Sequence, residues 1–127
     1  MINALSYVVV QTPHLDAWIE QARHHIGLHV DVVEPDVCVR LRADEKVQRL
    51  LVSACKGEAT MGMGFGVLDA AALESTRQAL EDAGYPTTEG TAEELRLRGV
   101  AGMVHFTDPD GLRLEVAYGL ADATTPF

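Results

Sequence analysis

Hydrophobic and polar positions along this chain recur with two different periods, and the switches between them mark out its elements. "LSYVVV" (5–10) is short, β-branched and apolar, the pattern of a buried strand. In "TPHLDAWIEQARHHIG" (12–27), Leu15, Trp18, Ile19, Ala22 and Ile26 recur at spacings of three and four, which is one stripe of a helix. Thr12 is placed to cap that helix, with Pro13 at its first position and Gly27 as its stop. "LHVDVVE" (28–34) reads as a strand, and Pro35–Asp36 turns the chain. Alternation returns in "VCVRLR" (37–42), which predicts a hairpin with "KVQRLLVSAC" (46–55) around Ala43–Glu45.

After a break at Lys56–Gly57–Glu58 the cycle restarts. "TMGMGFGV" (60–67) is a strand with enough glycine to bring another backbone close. Asp69 can cap a helix that runs to Ala83 with Leu73, Thr76, Leu80 and Ala83 inward, and Gly84 ends it. A short helical turn begins at Thr91 within "GTAEELRLRG" (90–99). "VAGMVHF" (100–106) and "LRLEVAY" (112–118) form a last hairpin, closed by the turn residues Asp108–Pro109–Asp110–Gly111.

The two halves repeat. A shift of 57 positions lays Val10 on Val67, Ala22 on Ala79 and Gly27 on Gly84, a strand end, a helix core position and a helix stop. The expected fold class is α+β: two βαβββ modules, about residues 1–56 and 59–119, that form a curved mixed sheet. Helices cover its outer side and the other side is a concave cup. Residues 120–127, "LADATTPF", read as a linker-like tail.

Composition narrows the function classes. A chain of 127 residues with 47% hydrophobic and 23% charged residues is an ordinary globule of one domain's length. Its net charge of −9 opposes phosphate backbones and anionic membranes, so no nucleic-acid or membrane partner is expected. No run approaches the ~20 apolar residues of a membrane span. "MINALSYVVVQTPH" has neither the basic lead nor the apolar length of a signal peptide, so the cytoplasm is the expected location. Around the hairpin at 43–46, Cys38 falls opposite residue 50 or 51, which leaves Cys55 beyond disulfide reach; both are expected to be thiols.

The chemistry concentrates in "DPDGLRLEVAYG" (108–119). Alternation puts Leu112, Leu114, Val116 and Tyr118 on one face of the strand and Arg113, Glu115 and Ala117 on the other. A mid-strand carboxylate needs a partner when buried, and Arg40, Arg42, Arg49 and Arg113 are available. Among the histidines, His24 and His25 are consecutive on a helix and diverge by about 100 degrees, so they do not chelate together. His14 belongs to a first helical turn, and His29 to a strand edge. His105 is the one the last hairpin brings near Glu115; a one-residue slip in register decides whether the two share a face. The acidic pair Glu93–Glu94 reads as a solvated helix face. No phosphate-binding glycine loop and no nucleophile elbow is present.

The runs 95–119 and 5–28 resemble the N-terminal domain of type I extradiol ring-cleaving dioxygenases, which open 2,3-dihydroxybiphenyl and related catechols. The resemblance is sharpest at Arg98–Gly99–Val100, Phe106, Asp108–Pro109, Gly111, Leu114–Glu115 and Tyr118–Gly119. It implies the vicinal oxygen chelate superfamily, with the glyoxalase/bleomycin resistance/dioxygenase fold of paired βαβββ modules. It further implies that Fe(II) belongs to a second, C-terminal domain absent from these residues, held there by two histidines and a glutamate. The corresponding places here are Tyr7, Gly62 and Glu115, of which only Glu115 matches. One carboxylate does not make an iron site, so Glu115 is read as a vestigial ligand position. No catalytic residue, metal or cofactor is expected in this chain.

The implied role is that of a non-catalytic domain of an Fe(II)-dependent dioxygenase for aromatic catabolism. It would supply structure and oligomer contacts to its own catalytic domain. A second reading is a stand-alone, metal-free binding protein of the bleomycin-resistance type, for which the acidic charge suits a cationic guest. A stand-alone single-domain dioxygenase or isomerase would need at least two further ligands.

Overall fold

The computed structural model describes residues 2–126. Met1, the start of the expected first module, and Phe127, the end of the expected tail, lie outside the described residues. The chain divides into two compact units, residues 7–61 with 121–126 and residues 2–6 with 62–120. The units thus follow the repeat seen in the sequence, except that each takes one terminus of the chain from the other half.

In the first unit, strand β1 (Ala4–Thr12) leads to helix α1 (Leu15–Gln21), a π-helical turn (Ala22–Ile26), and strands β2 (His29–Glu34), β3 (Cys38–Arg42) and β4 (Leu50–Ala54). The strand order is β2-β3-β4-β1, with β1 parallel to β4 and the other pairs antiparallel. Register puts Val10 beside Val52 and Val52 beside Val39, so one face is continuously apolar. Helix α1 packs Leu15, Trp18 and Ile19 onto that face, together with Ala22. The predicted stripe is therefore the core stripe, except that Ile26 is 65% exposed.

Two local expectations are corrected. Thr12 does not cap α1: it stays in the β1 ladder, where its carbonyl accepts from the Cys55 N–H at 2.9 Å. Its hydroxyl accepts from the His14 N–H, and His14 becomes the N-cap, so the helix starts after Pro13. Sheet pairing outcompetes the capping preference. The hairpin between β3 and β4 is also looser than predicted. Asp44 accepts from the Lys46 N–H and from Arg49 Nε and fixes a longer loop, so Cys38 pairs with Ser53 rather than with residue 50 or 51. Both cysteines are nonetheless thiols.

The tail runs against this unit. Ala121 accepts from the Val47 N–H at 3.0 Å, and Ala123 donates to the Glu45 carbonyl at 2.7 Å. Lys46 meets Asp122 at 2.8 Å, and the buried Arg42 donates to the Thr125 hydroxyl and carbonyl, each at 2.9 Å. A cavity of about 550 Å³ lies between this tail and His29, Asp31, Arg40 and Arg42.

The second unit holds β5 (Thr60–Gly66), α2 (Ala70–Asp82), β6 (Thr88–Glu89), α3 (Ala92–Arg98), β7 (Gly102–Thr107) and β8 (Arg113–Tyr118). Its order, β5-β8-β7-β6 with β5 parallel to β8, mirrors the first unit. As predicted, Asp69 caps α2, its carboxylate accepting from the Ala72 N–H at 2.8 Å. Ala72 and Leu73 of that helix pack on Val67, Val104 and Val116. The Asn3 N–H donates to the Gly66 carbonyl at 2.9 Å, which ties the first residues of the chain to this unit. Strand β6 is only two residues long, too short for a periodicity to announce it.

Candidate functional site

The opposite face of the second unit carries the charged residues of β8. In the β7–β8 ladder Glu115 pairs with His105, Arg113 with Thr107 and Ala117 with Met103. On the other side β8 meets the glycines of β5, Gly62 opposite Arg113 and Gly64 opposite Glu115. Directly paired residues point to the same face. His105 and Glu115 are therefore neighbours on one surface, which answers the question of register that the sequence left open.

Glu115 is fully buried. Its partners come from two elements. Arg98, the last residue of α3, presents one edge of its guanidinium, with Nε donating to Oε1 at 2.5 Å and Nη2 to Oε2 at 2.7 Å. Arg113, two residues back along β8, donates from Nε to Oε2 at 2.9 Å. The network then closes on itself. Arg113 Nη2 donates to Glu94 Oε2 at 2.8 Å, and Arg98 Nη1 donates to the Glu94 carbonyl at 3.2 Å. Two carboxylates face two guanidiniums, so the cluster is neutral, and the bidentate Arg98 contact is the strong geometry for such a pair.

Helix α3 sits where it does because both of its ends are fixed. Thr91 accepts from the Glu94 N–H while the Glu94 carboxylate accepts from the Thr91 N–H, a reciprocal capping box. Gly99, at φ 69°, closes the helix in the left-handed conformation that glycine tolerates. Glu94 and Arg98 are four apart and so share the face of α3 turned to β8. Burial opposes ionisation of Glu94, but the Thr91 N–H and the Arg113 guanidinium outweigh it and hold its carboxyl below the usual range. Burial, followed by the Arg113 charge, lowers the His105 pKa and favours the neutral ring.

Two sequence expectations change. Of the arginines named for Glu115, Arg113 is a partner, but the principal one is Arg98, which sequence spacing did not suggest. The signal that could have found it is the i, i+4 pair Glu94 and Arg98 on a capped helix. Glu94 is also more than a solvated residue, since it both caps α3 and binds Arg113; Glu93 alone fits that description, paired with Arg96 on the surface.

The donor set does not fit a ferrous ion. Both oxygens of Glu115 accept from guanidinium groups, and Gly62, in the implied fifth-strand place, offers no side-chain donor. Among the described residues no group of three His, Cys, Asp or Glu side chains could hold a metal ion. Tyr7, in the implied first-strand place, is a buried residue of the first unit. His24 stands 3.7 Å from Glu20 on the surface, and His14 and His29 are exposed. Among the described residues no helix is long and apolar enough to cross a membrane.

Comparison with known proteins gives the context. The chain is 31% identical over 121 residues to a biphenyl-2,3-diol 1,2-dioxygenase of Paraburkholderia xenovorans, which covers 95% of this chain and 40% of that protein. It is 30% identical over 120 residues to an iron-dependent extradiol dioxygenase of Rhodococcus jostii, again 40% of that protein. The chain thus spans about 40% of the length of the curated relatives it matches. A crystal structure of a halotolerant catechol dioxygenase superposes with a TM-score of 0.89 at 28% identity, over 98% of this chain and 42% of that one. Homoprotocatechuate 2,3-dioxygenase from Brevibacterium fuscum, at 18% identity over 96% of this chain and 38% of its own, shares the fold with a TM-score of 0.81. No protein-family model matches. The chain is homologous to the extradiol dioxygenases, and its α+β fold is their vicinal oxygen chelate fold.

Proposed function

We propose that these residues form the non-catalytic, N-terminal-type domain of an Fe(II)-dependent extradiol dioxygenase acting on catechol-type aromatics. The observation that carries this reading is the state of Glu115. Its two oxygens, the matching remnant of the implied ligand set, are engaged by Arg98 and Arg113 in a charge-balanced cluster around the buried carboxylate. A carboxylate so satisfied gains nothing by exchanging a guanidinium for a metal with too few other donors. Iron, substrate chelation and acid–base chemistry then belong to a second domain, and this one contributes fold stability and contacts within a homo-oligomer in the cytoplasm. The roughly 40% coverage of the relatives supports this division.

Anaerobic titration of the 127-residue chain with Fe(II), followed by oxygen uptake with 2,3-dihydroxybiphenyl, tests it. No stoichiometric iron and no ring cleavage are expected. One equivalent of iron with catechol turnover would overturn the reading. The coding sequence offers a second check: beyond Phe127 it should continue for a domain's length, with His, His and Glu at the places corresponding to Tyr7, Gly62 and Glu115.

A further inference from the structure

The way Arg98 fills its surroundings points to the kind of cation the buried carboxylate accepts. All three of its guanidinium nitrogens have an acceptor: Nε on Glu115 Oε1 at 2.5 Å, Nη2 on Glu115 Oε2 at 2.7 Å and Nη1 on the Glu94 carbonyl at 3.2 Å. Its side chain is 9% exposed and that of Glu115 is not exposed at all. The acceptors are spread along the edges of a flat fork. A spherical divalent ion requires its oxygens to converge on one point, six or more of them for a hard cation. A planar cation requires what is seen here, a carboxylate along one edge and a further oxygen at the next. Arg113 also holds Glu115 Oε2, at 2.9 Å.

We propose that Glu115 and the Glu94 carbonyl form a binding site selective for guanidinium-type planar cations, filled in the native chain by its own Arg98. On this view Arg98 is a resident cation: it compensates the buried carboxylate and, by shape, keeps divalent metals out. The proposal deepens the functional reading above and rests on it for the exclusion of Fe(II) at Glu115.

The test is chemical rescue. Arg98→Ala removes the resident cation and keeps Arg113, Glu94 and Glu115. Thermal unfolding of this variant is followed in low-millimolar guanidinium or methylguanidinium chloride, with sodium chloride and manganese chloride as controls at equal ionic strength. A ligand bound only by the folded state raises the melting temperature. Guanidinium should raise that of R98A by about 3 °C or more, while the wild type shows no such rise and manganese rescues neither protein. A larger rise with manganese than with guanidinium, or no rise with guanidinium in a folded R98A, overturns the proposal.

If R98A does not fold, the wild type decides by NMR. The Arg98 Nε–H signal should exchange slowly and keep its linewidth in millimolar manganese, and broadening of that signal overturns the proposal. The two readings fail separately. Iron bound elsewhere with turnover would end the functional reading and leave the rescue unaffected, whereas failed rescue leaves the iron titration to stand by itself.

Discussion

Glu115→Gln is the substitution on which the physical reasoning is most exposed. It keeps the shape of the side chain and removes its charge, leaving Arg98 buried without a counter-ion. Breaking a buried pair by removing one partner costs about 3–5 kcal/mol, because the surviving charge remains desolvated. The Arg113 contribution is smaller. That side chain is 37% exposed, so water already screens it, and about 1 kcal/mol is a generous allowance. The expected loss is therefore about 4 kcal/mol, which corresponds to roughly 10–20 °C in melting temperature and about 2 M in urea midpoint. Double-mutant cycles by urea unfolding separate the two partners. The Glu115–Arg98 coupling should exceed about 2 kcal/mol, and the Glu115–Arg113 coupling should stay near 1 kcal/mol or below. Replacing the pair together, Arg98→Met with Glu115→Leu, should come within about 1 kcal/mol of wild type, because no unpaired charge is left behind. If E115Q unfolds like wild type, or if the two couplings are equal, the claim that burial and bidentate geometry govern this cluster is wrong.

Other consequences are narrower. The folded-state pKa of His105 is lowered from 6.5 by burial and by Arg113, so its contribution to stability is full above pH 6.5 and is lost as pH falls through the lower folded value. An NMR titration should place the His105 midpoint below 6.5, and His105→Gln should flatten the stability profile in that range; a midpoint above 6.5 would contradict the assignment. Glu94, also lowered, contributes stability that is full above the ordinary carboxylate pKa of 4.5 and disappears as acid protonates it, so Glu94→Gln should make acid unfolding less steep. At Gly119, φ is 72° and an added Cβ would lie 2.6 Å from Ala101 Cβ, so Gly119→Ala should cost about 1–3 kcal/mol by denaturant unfolding.

How much of this was legible in the sequence follows from where each signal lives. The duplication was readable because helix stops and strand ends are local: Gly27 and Gly84, at φ 83° and 90°, close equivalent helices in the two halves. Periodicity found the core face of α1 apart from the exposed Ile26, and Leu73 of α2 though not the exposed Ala83; in β8, Leu114, Val116 and Tyr118 alternate with Arg113, Glu115 and Ala117 in the register of the ladder. What failed was competition between neighbours in space. Thr12 has the chemistry of a cap, but the ladder with β4 claims its backbone; Cys38 faces Ser53 because Asp44 organises a loop that no alternation encodes. The site failed in the same way and for a more instructive reason. A buried carboxylate advertises that it needs a cation, yet nothing in one dimension says which of ten basic side chains supplies it. The choice of Arg98 is made by α3, whose capping box fixes Glu94, whose four-residue spacing then carries Arg98 to β8. The resemblance motif had already marked Arg98–Gly99, the helix end, and Glu115, the strand centre, as separate features. The structure makes them one feature: the glycine ends the helix where the arginine must stand, and the arginine takes up the charge of the glutamate. A motif that looks like a scattered string of letters is here a single electrostatic object, so exchanging Arg98 or Glu115 alone should cost more stability than exchanging the pair.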